Sequence, residues 1–262
     1  MEKKNSMIDI HNHILINVDD GPNSKEEMLR LLKQAKDEGV SGVVATPHHL
    51  HPNYDNQMNV VKEKVNELLA MEEVQQLGVD IYTGQEVRAN DQILNQLDSG
   101  EIEGINQSKY LLVELPSNRV PRFTQNLIYE IQNKGFVPII AHPERNKEIT
   151  QNLDKLYDLI NAGALSQLTA QSLVGKFGKN IRNISIQMIE NNLVHFIASD
   201  AHNVENRPFY MSSLLNHRKT KKYTEQLQEL LANSESVIND QNIRKRQPTQ
   251  DYKKKKKLLG IF

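Results

Sequence analysis

Seven short apolar, β-rich runs mark the chain, and the stretches between them repeat their apolar positions at helical spacing. The runs are 7–11 (MIDIH), 42–47 (GVVATP), 79–86 (VDIYTGQE), 110–115 (YLLVEL), 137–142 (VPIIAH), 164–169 (ALSQLT) and 194–200 (VHFIASD). Ser24 with Glu27 three positions later predicts a capping box, opening a helix that stops at Gly39. Further helices are predicted over 60–76, 123–133, 153–162 and 181–191, the middle two stopping at Gly135 and Gly163. Seven βα units in series imply a parallel sheet with right-handed crossovers, and the number suits closure into a barrel. No low-complexity linker divides the units. Residues 1–244 therefore read as one α/β domain, and 245–262 as a basic tail.

In such a barrel the active face lies at the carboxyl ends of the strands. The runs end in His11 and His13, in His48 after Thr46-Pro47, in Glu86, Glu114 and His142, and in Asp200 with His202. Residues two apart on a strand share a face, so His11 and His13 can reach one ion. Six of the seven runs end in a metal-competent side chain, whereas chance would scatter nine histidines and thirty-three acids over helices and loops. Asp19, in Val18-Asp19-Asp20-Gly21, adds a fourth carboxylate. This set exceeds the needs of one ion, so two or three are expected, spaced about 3.5–4 Å so as to clamp an in-line displacement on phosphorus.

Composition narrows the chemistry. With no cysteine, a thiolate nucleophile is excluded, and a His/Asp/Glu site favours Mn²⁺, Fe²⁺ or Zn²⁺. The same absence makes the cytoplasm the expected compartment. Apolar content of 38% and charged content of 25% are ordinary for a globular protein. No run approaches the roughly 18–20 apolar residues of a membrane helix, and the first residues lack the apolar stretch of a secretory signal. The net charge of −1 hides an asymmetry. From Ser213 onward twelve Lys/Arg face five Asp/Glu, a balance of +7 that leaves about −8 on the first 212 residues. An acidic body gives no footprint for nucleic acid.

His11-x-His13, Asp19, Pro47-His48, Glu86, Glu114, His142 and Asp200-x-His202 resemble the metal motifs of the polymerase-and-histidinol-phosphatase (PHP) superfamily, in order, from Met7 to about Pro208. Val18-Asp19-Asp20-Gly21, Gly84-Gln85-Glu86, Ile140-Ala141-His142-Pro143-Glu144-Arg145 and Ala198-Ser199-Asp200-Ala201-His202-Asn203 look like the bacterial protein-tyrosine phosphatases of capsule and exopolysaccharide operons. The resemblance implies a distorted seven-stranded (βα)7 TIM-like barrel and three ions, Mn²⁺ foremost, with Fe²⁺, Co²⁺ or Zn²⁺ as alternatives. Carried over, the first ion takes His11, His13, Glu86 and Asp200. The second takes Glu86, Glu114 and His142, and the third Asp19, His48 and His202. The implied substrate is the phosphotyrosine tail of a bacterial tyrosine kinase. A metal-bound water would attack phosphorus directly, Asp200 or His202 would protonate the leaving oxygen, and Arg145 and Arg207 would grip the phosphate.

Several residues admit plainer readings. His49 and His51 fit substrate-facing or solvated loop positions, His195 a core histidine, and His217 a polar helix end. Glu114 also fits a buried ion pair with Arg119 or Arg122, and Asp20, beside Gly21-Pro22, a turn role as well as a ligand role. Arg88 and Arg122 fit either the fringe of the site or ordinary surface charge. Gly175-Lys176-Phe177-Gly178-Lys179 lacks the spacing of a phosphate loop, which excludes nucleotide binding. Lys253 to Lys257 fit a solubilising end or weak docking to an anionic membrane surface. The rival functions are another PHP phosphoesterase such as a histidinol-phosphate phosphatase, a nuclease, a C–N hydrolase in a metal barrel, and a metal-dependent kinase scaffold without catalysis.

Overall fold

The computed structural model describes residues 7–252. The run Lys253 to Lys257 lies outside the described residues. Among the described residues nine strands, all paired in parallel, alternate with helices. They are β1 (Met7–Asn12), β2 (Val40–Ala45), β3 (His48–His49), β4 (Asp80–Thr83), β5 (Glu86–Arg88), β6 (Tyr110–Glu114), β7 (Val137–Ala141), β8 (Leu165–Thr169) and β9 (Phe196–Ala198). One ladder runs β1-β2-β4 and a second β3-β5-β6-β7-β8-β9.

The run expected at 42–47 stops at Ala45 with a separate short strand following at His48–His49, and the run expected at 79–86 splits in two, for steric reasons. Pro47 has no N–H to give a ladder. At Gly84 a Cβ would lie 2.8 Å from Val44 Cγ1. The seam is held by Thr46 N–H donating to Asn12 O (2.9 Å), Gly84 N–H to Ala45 O (3.0 Å) and Glu86 N–H to Pro47 O (3.1 Å). β9 returns to β1 beyond its ladder, where Asp200 N–H donates to His11 O and His13 N–H to Ala201 O, both at 2.8 Å. The architecture is thereby closed and TIM-barrel-like.

Period-two alternation creates two cores. Ile8, Ile10, Val44, Leu112, Ile139, Leu165 and Phe196 pack together inside the barrel, while Val43, Leu111, Val113, Ile140 and Ile197 pack outward against helices. On β6, Tyr110 and Leu112 point inward, so Glu114 does too, one level nearer the carboxyl end. On β1 the alternation breaks. Its register with β2 shifts between Asp9 and Asn12, an irregularity that lets His11 follow Ile10 into the interior.

Helix Lys25–Asp37 starts as expected, with Ser24 Oγ accepting from Glu27 N–H (3.2 Å). The Glu27 carboxylate reaches one residue further back than a capping box requires, to Asn23 N–H (2.8 Å). The helix expected over 60–76 is two, Met58–Leu69 and Glu72–Leu77. Continued straight, the buried stripe Met58-Val61-Val65-Leu68 would meet Glu72, and the break at Ala70-Met71 buries Val74 instead. Helix Thr224–Ile238, not anticipated from the spacing, packs on β1 and β9 with Leu227, Leu231 and Val237 buried. The chain beyond it stays on the body: Thr249 N–H donates to Asn191 O (2.9 Å), and the Tyr252 hydroxyl to the Asp154 carboxylate.

Asp9 ties the closing seam. Its Oδ1 accepts Ser199 N–H (2.7 Å), and its Oδ2 accepts the Ser199 hydroxyl (2.7 Å) and Asn12 Nδ2–H (3.0 Å). Burial raises its carboxyl to about 6, against the opposing effect of those bonds. Asp9→Ala would strand three buried donors, at an expected cost of about 3 kcal/mol in unfolding free energy. Urea denaturation of chelator-treated protein measures this, and a loss below about 1 kcal/mol would show that the seam closes without Asp9.

Candidate metal centre

The carboxyl ends of the strands converge on one buried cluster. Glu86 stands at its middle. Its Oε2 lies 3.4 Å from both His11 Nε2 and His13 Nε2 and 2.9 Å from His48 Nδ1, and its Oε1 lies 2.7 Å from His142 Nε2. Asp200 Oδ1 lies 3.4 Å from His11 Nε2 and 3.5 Å from His13 Nε2. Asp20 Oδ1 is 3.1 Å from His202 Nε2 and 3.5 Å from His48 Nε2. Four overlapping groups can each hold an ion: His13-Asp20-His48-His202, His11-Glu86-His142, His11-His13-Asp200 and His48-Glu86-Glu114.

Local backbone produces this convergence. His142 and Asp200, the first residues past or near the ends of β7 and β9, adopt left-handed conformations (φ 31° and 51°). Such backbone is strained in non-glycine residues and persists where the surroundings impose it. Gly21 lets the 19–21 turn close on β1, since a Cβ there would lie 2.4 Å from His13 O.

The donor set fits divalent cations. Glu86 Oε2, Glu114 Oε2, Asp200 Oδ1, His48 Nδ1 and His202 Nε2 are buried with no hydrogen-bond partner, although they crowd one another at ion-pair distances. Cations held in the overlapping groups would satisfy all five. Charge follows the same logic. Burial opposes ionisation of Glu86, yet His11, His48 and His142 hold its carboxyl well below the usual range. Glu114 is pushed up to about 7, by burial and then by the Glu86 charge. Burial lowers His142 to about 4, assisted by Arg145, and His202 to about 4, assisted by His13. His13 is raised despite burial, chiefly by Asp19.

Around the cluster, second contacts fix ring orientation. Gln167 Oε1 accepts from His11 Nδ1–H (2.8 Å), which leaves Nε2 free as a ligand. Asp19 Oδ2 lies 2.6 Å from His13 Nδ1 and does the same for that ring. His202 Nδ1–H donates to Asp200 O (3.0 Å). Two guanidiniums meet over the centre: both Arg145 Nη2 and Arg207 Nη2 donate to Asp200 Oδ2, the latter at 2.7 Å. A cavity of about 330 Å³ opens here, lined by His48, Glu86, Glu114, His142, Arg145 and Arg207, with His51 and Tyr54 at its rim.

Residues 7–239 match the family described as capsular polysaccharide synthesis, CpsB/CapC. The chain belongs to the CpsB/CapC family. It is 57% identical over 250 residues to the putative tyrosine-protein phosphatase CapC of Staphylococcus aureus, covering 95% of this chain and 98% of the relative. It is 38% identical over 257 residues to the tyrosine-protein phosphatase YwqE of Bacillus subtilis, covering 98% and 100%. A crystal structure from work on YwqE of Bacillus subtilis and CpsB of Streptococcus pneumoniae, called unique metal-dependent tyrosine phosphatases, superposes with a TM-score of 0.88. That match has 37% identity and covers 93% of this chain and all of the other. An organophosphorus hydrolase of Deinococcus radiodurans, at 10% identity, shares the barrel fold (TM-score 0.56, covering 90% and 92%).

In this CpsB/CapC family member, His11, His13, His48, Glu86, Glu114, His142, Asp200 and His202 come together. Of the two adjacent aspartates, Asp20 falls in a candidate ion-holding group and Asp19 lies behind His13. Asp19 meets His13 Nδ1 (2.6 Å) and accepts from Gly21 N–H (3.0 Å), while Asp20 groups with His13, His48 and His202. By distance, His142 groups with His11 and Glu86, and Glu114 with His48 and Glu86. Glu114 pairs with Arg88 (3.2 Å), while Arg119 and Arg122 are exposed on a separate cavity of about 650 Å³. His49 is neither substrate-facing nor solvated: it is buried between Asp55 (3.0 Å) and Gln96 (2.6 Å). His195 is a core residue whose Nδ1 accepts Ser166 N–H (3.1 Å). Sequence reasoning missed Gln167, for which the alternation of β8 was the available signal.

Two substitutions separate these roles. Asp20→Ala should reduce the number of bound ions per chain, read by elemental analysis of metal-reconstituted protein, and an unchanged count would remove Asp20 from the ligand set. Gln167→Leu should keep the count but weaken metal affinity about 10- to 100-fold in a chelator competition titration.

Proposed function

We propose that this CpsB/CapC family member is a metal-dependent protein-tyrosine phosphatase acting on the phosphotyrosine tail of a bacterial tyrosine kinase that controls capsule or exopolysaccharide synthesis. The observation that carries this reading is the coincidence, in one cavity, of a partnerless carboxylate–imidazole cluster with two guanidiniums. The 57% and 38% identities to a putative and a named tyrosine-protein phosphatase support it. His11, His13, Asp20, His48, Glu86, Glu114, His142, Asp200 and His202 would hold three ions, with Mn²⁺ the first choice. The nine strand segments then count as the seven βα units of a distorted PHP barrel. A cytoplasmic location, at or near the inner membrane face, belongs to the same proposal.

Bound divalent ions would supply Lewis-acid polarisation of the phosphate and an activated water. The chain's own groups do the rest. Arg145 and Arg207 present planar donors to the phosphate oxygens. Both also hold Asp200 well below the usual carboxylate range against the effect of burial, so Asp200 stays ionised and suits a ligand better than an acid. His202 commits its one N–H to Asp200 O and turns its Nε2 lone pair inward, which again suits a ligand. A phenolate of free pKa about 10 needs less proton assistance than an alkoxide. The buried, cysteine-free floor requires no covalent phosphoenzyme.

Phosphotyrosine peptide hydrolysis should appear with added Mn²⁺, vanish on chelation and return on metal addition. Arg207→Ala should raise KM about 10-fold or more without changing metal content. Activity that survives strong chelation, or a preference for small phosphate esters such as histidinol phosphate over phosphotyrosine peptides, would overturn the reading.

A further inference from the structure

The glycine-flanked loop 175–179, excluded as a nucleotide site by its spacing, sits beside the metal centre. The Phe177 ring packs against the Arg145 guanidinium at 5.6 Å, so this loop borders the cavity that Arg145 lines. Behind it the chain is depleted of acid. No Asp or Glu occurs between Asp158 and Glu190, nor between Glu205 and Glu225. Those two stretches meet in space. At Gly175 an added Cβ would lie 3.4 Å from Arg182 Cδ and 3.5 Å from Lys219 Nζ, Lys219 Nζ donates to Val174 O (2.8 Å), and Arg182 Nη2 to Lys219 O (3.4 Å). His217 marks the centre of the patch: its imidazole is held below its usual value by burial and then by Lys219, Arg218, Arg182 and Lys176. Lys176, Lys179, Arg218 and Lys221 are exposed and have no acidic partner among the described residues. Glu190 and Asp251 line a cavity on the Arg182 side of the patch, and Glu190 is already taken by Lys222 and Tyr223. On a body that carries about −8 over its first 212 residues, this concentration of cations stands apart.

We propose that this basic face docks the acidic flank of the peptide substrate, the carboxylates and further phosphotyrosines beside the scissile residue; the proposal rests on the phosphotyrosine reading above. Charge complementarity selects a polyanionic partner. Contact with Arg145 through Phe177 selects the substrate itself, since a peptide whose phosphate reaches Arg145 brings its flank beside Phe177. The face acts on binding and leaves the chemical step alone.

The test compares wild type with a Lys176→Ser/Arg218→Ser/Lys221→Ser variant, all exposed positions outside the metal centre. Three substrates are used with Mn²⁺: p-nitrophenyl phosphate, a neutral peptide with one phosphotyrosine, and an acidic peptide with several. We expect KM for the acidic peptide to rise about five- to tenfold in the variant, with kcat and both other substrates unchanged. Rising salt should raise the wild-type KM for that peptide and abolish the difference. A variant carrying Lys176→Arg, Arg218→Lys and Lys221→Arg should behave as wild type. An unchanged KM in the serine variant, or an equal loss on p-nitrophenyl phosphate, would overturn the proposal. So would loss of binding to phosphatidylserine vesicles with the peptide KM unmoved, which would give the face to a membrane. Failure of the wild type on every phosphotyrosine peptide would instead overturn the functional reading. Anisotropy binding of a non-hydrolysable difluorophosphonate version of the acidic peptide would then still test docking.

Discussion

The structure is organised around the convergence of carboxylates and imidazoles that cannot all be satisfied by one another. Glu86, Glu114 and Asp200 place acceptor atoms in a buried space where each lacks a hydrogen-bond partner. Uncompensated, such charge is destabilising, because burial removes water and the low-dielectric interior magnifies repulsion. The rise of Glu114 to about 7, from burial first and the ionised Glu86 second, expresses both costs. Cations are the compensation that the donor chemistry selects. The barrel can therefore be viewed as a device for holding these groups together against their preference to separate.

Each departure from a regular barrel serves that convergence. The register shift in β1 turns His11 inward beside Ile10. The breaks after β2 and β4 bring His48 and Glu86 level with each other, paired across β3 and β5. Left-handed backbone at His142 and Asp200 lets the chain leave its strands while the side chains stay over the cluster. Asp9, bonded across the seam to Ser199, pins β1 to the segment that carries Asp200 and His202. The opposite end of the barrel is filled by packing of Tyr110, Phe196 and Val237.

Outside the cluster the polar groups sort by what they touch. Gln167 and Asp19 orient ligand rings, and Glu144 accepts from Thr169 N–H (3.1 Å) and the Ser172 hydroxyl (2.7 Å) to hold the turn that carries Arg145. Arg145 joins three layers: it donates to Asp200, lines the cavity and packs on Phe177, the border of the basic face. Candidate metal centre, guanidinium pair and flanking surface are thus continuous through one side chain.

The seven β-rich runs, the period-two alternation that points Glu114 inward with Tyr110 and Leu112, and the helix start at Ser24 were all legible in the amino-acid order. They depend on neighbours a few residues away. So was the membership of the cluster at eight positions, because the carboxyl-end rule converts strand position into spatial proximity. What local pattern left open was decided in three dimensions. Asp19 and Asp20 are adjacent and chemically identical, the first buried and the second exposed. Which one joins the candidate ion-holding group depends on whether His13 Nδ1, reached through the closure of the turn at Gly21, claims the first. Glu114 found Arg88 on the neighbouring strand rather than Arg119 or Arg122 on its own loop, since strand pairing sets that distance. Gln167 acquired its role only when β8 faced β1 across the barrel. The sequence determined which side chains face inward and at what height, because alternation is a local property of the backbone. Their partners were fixed only by closure of the barrel, because contact across it is set by the whole ring of strands.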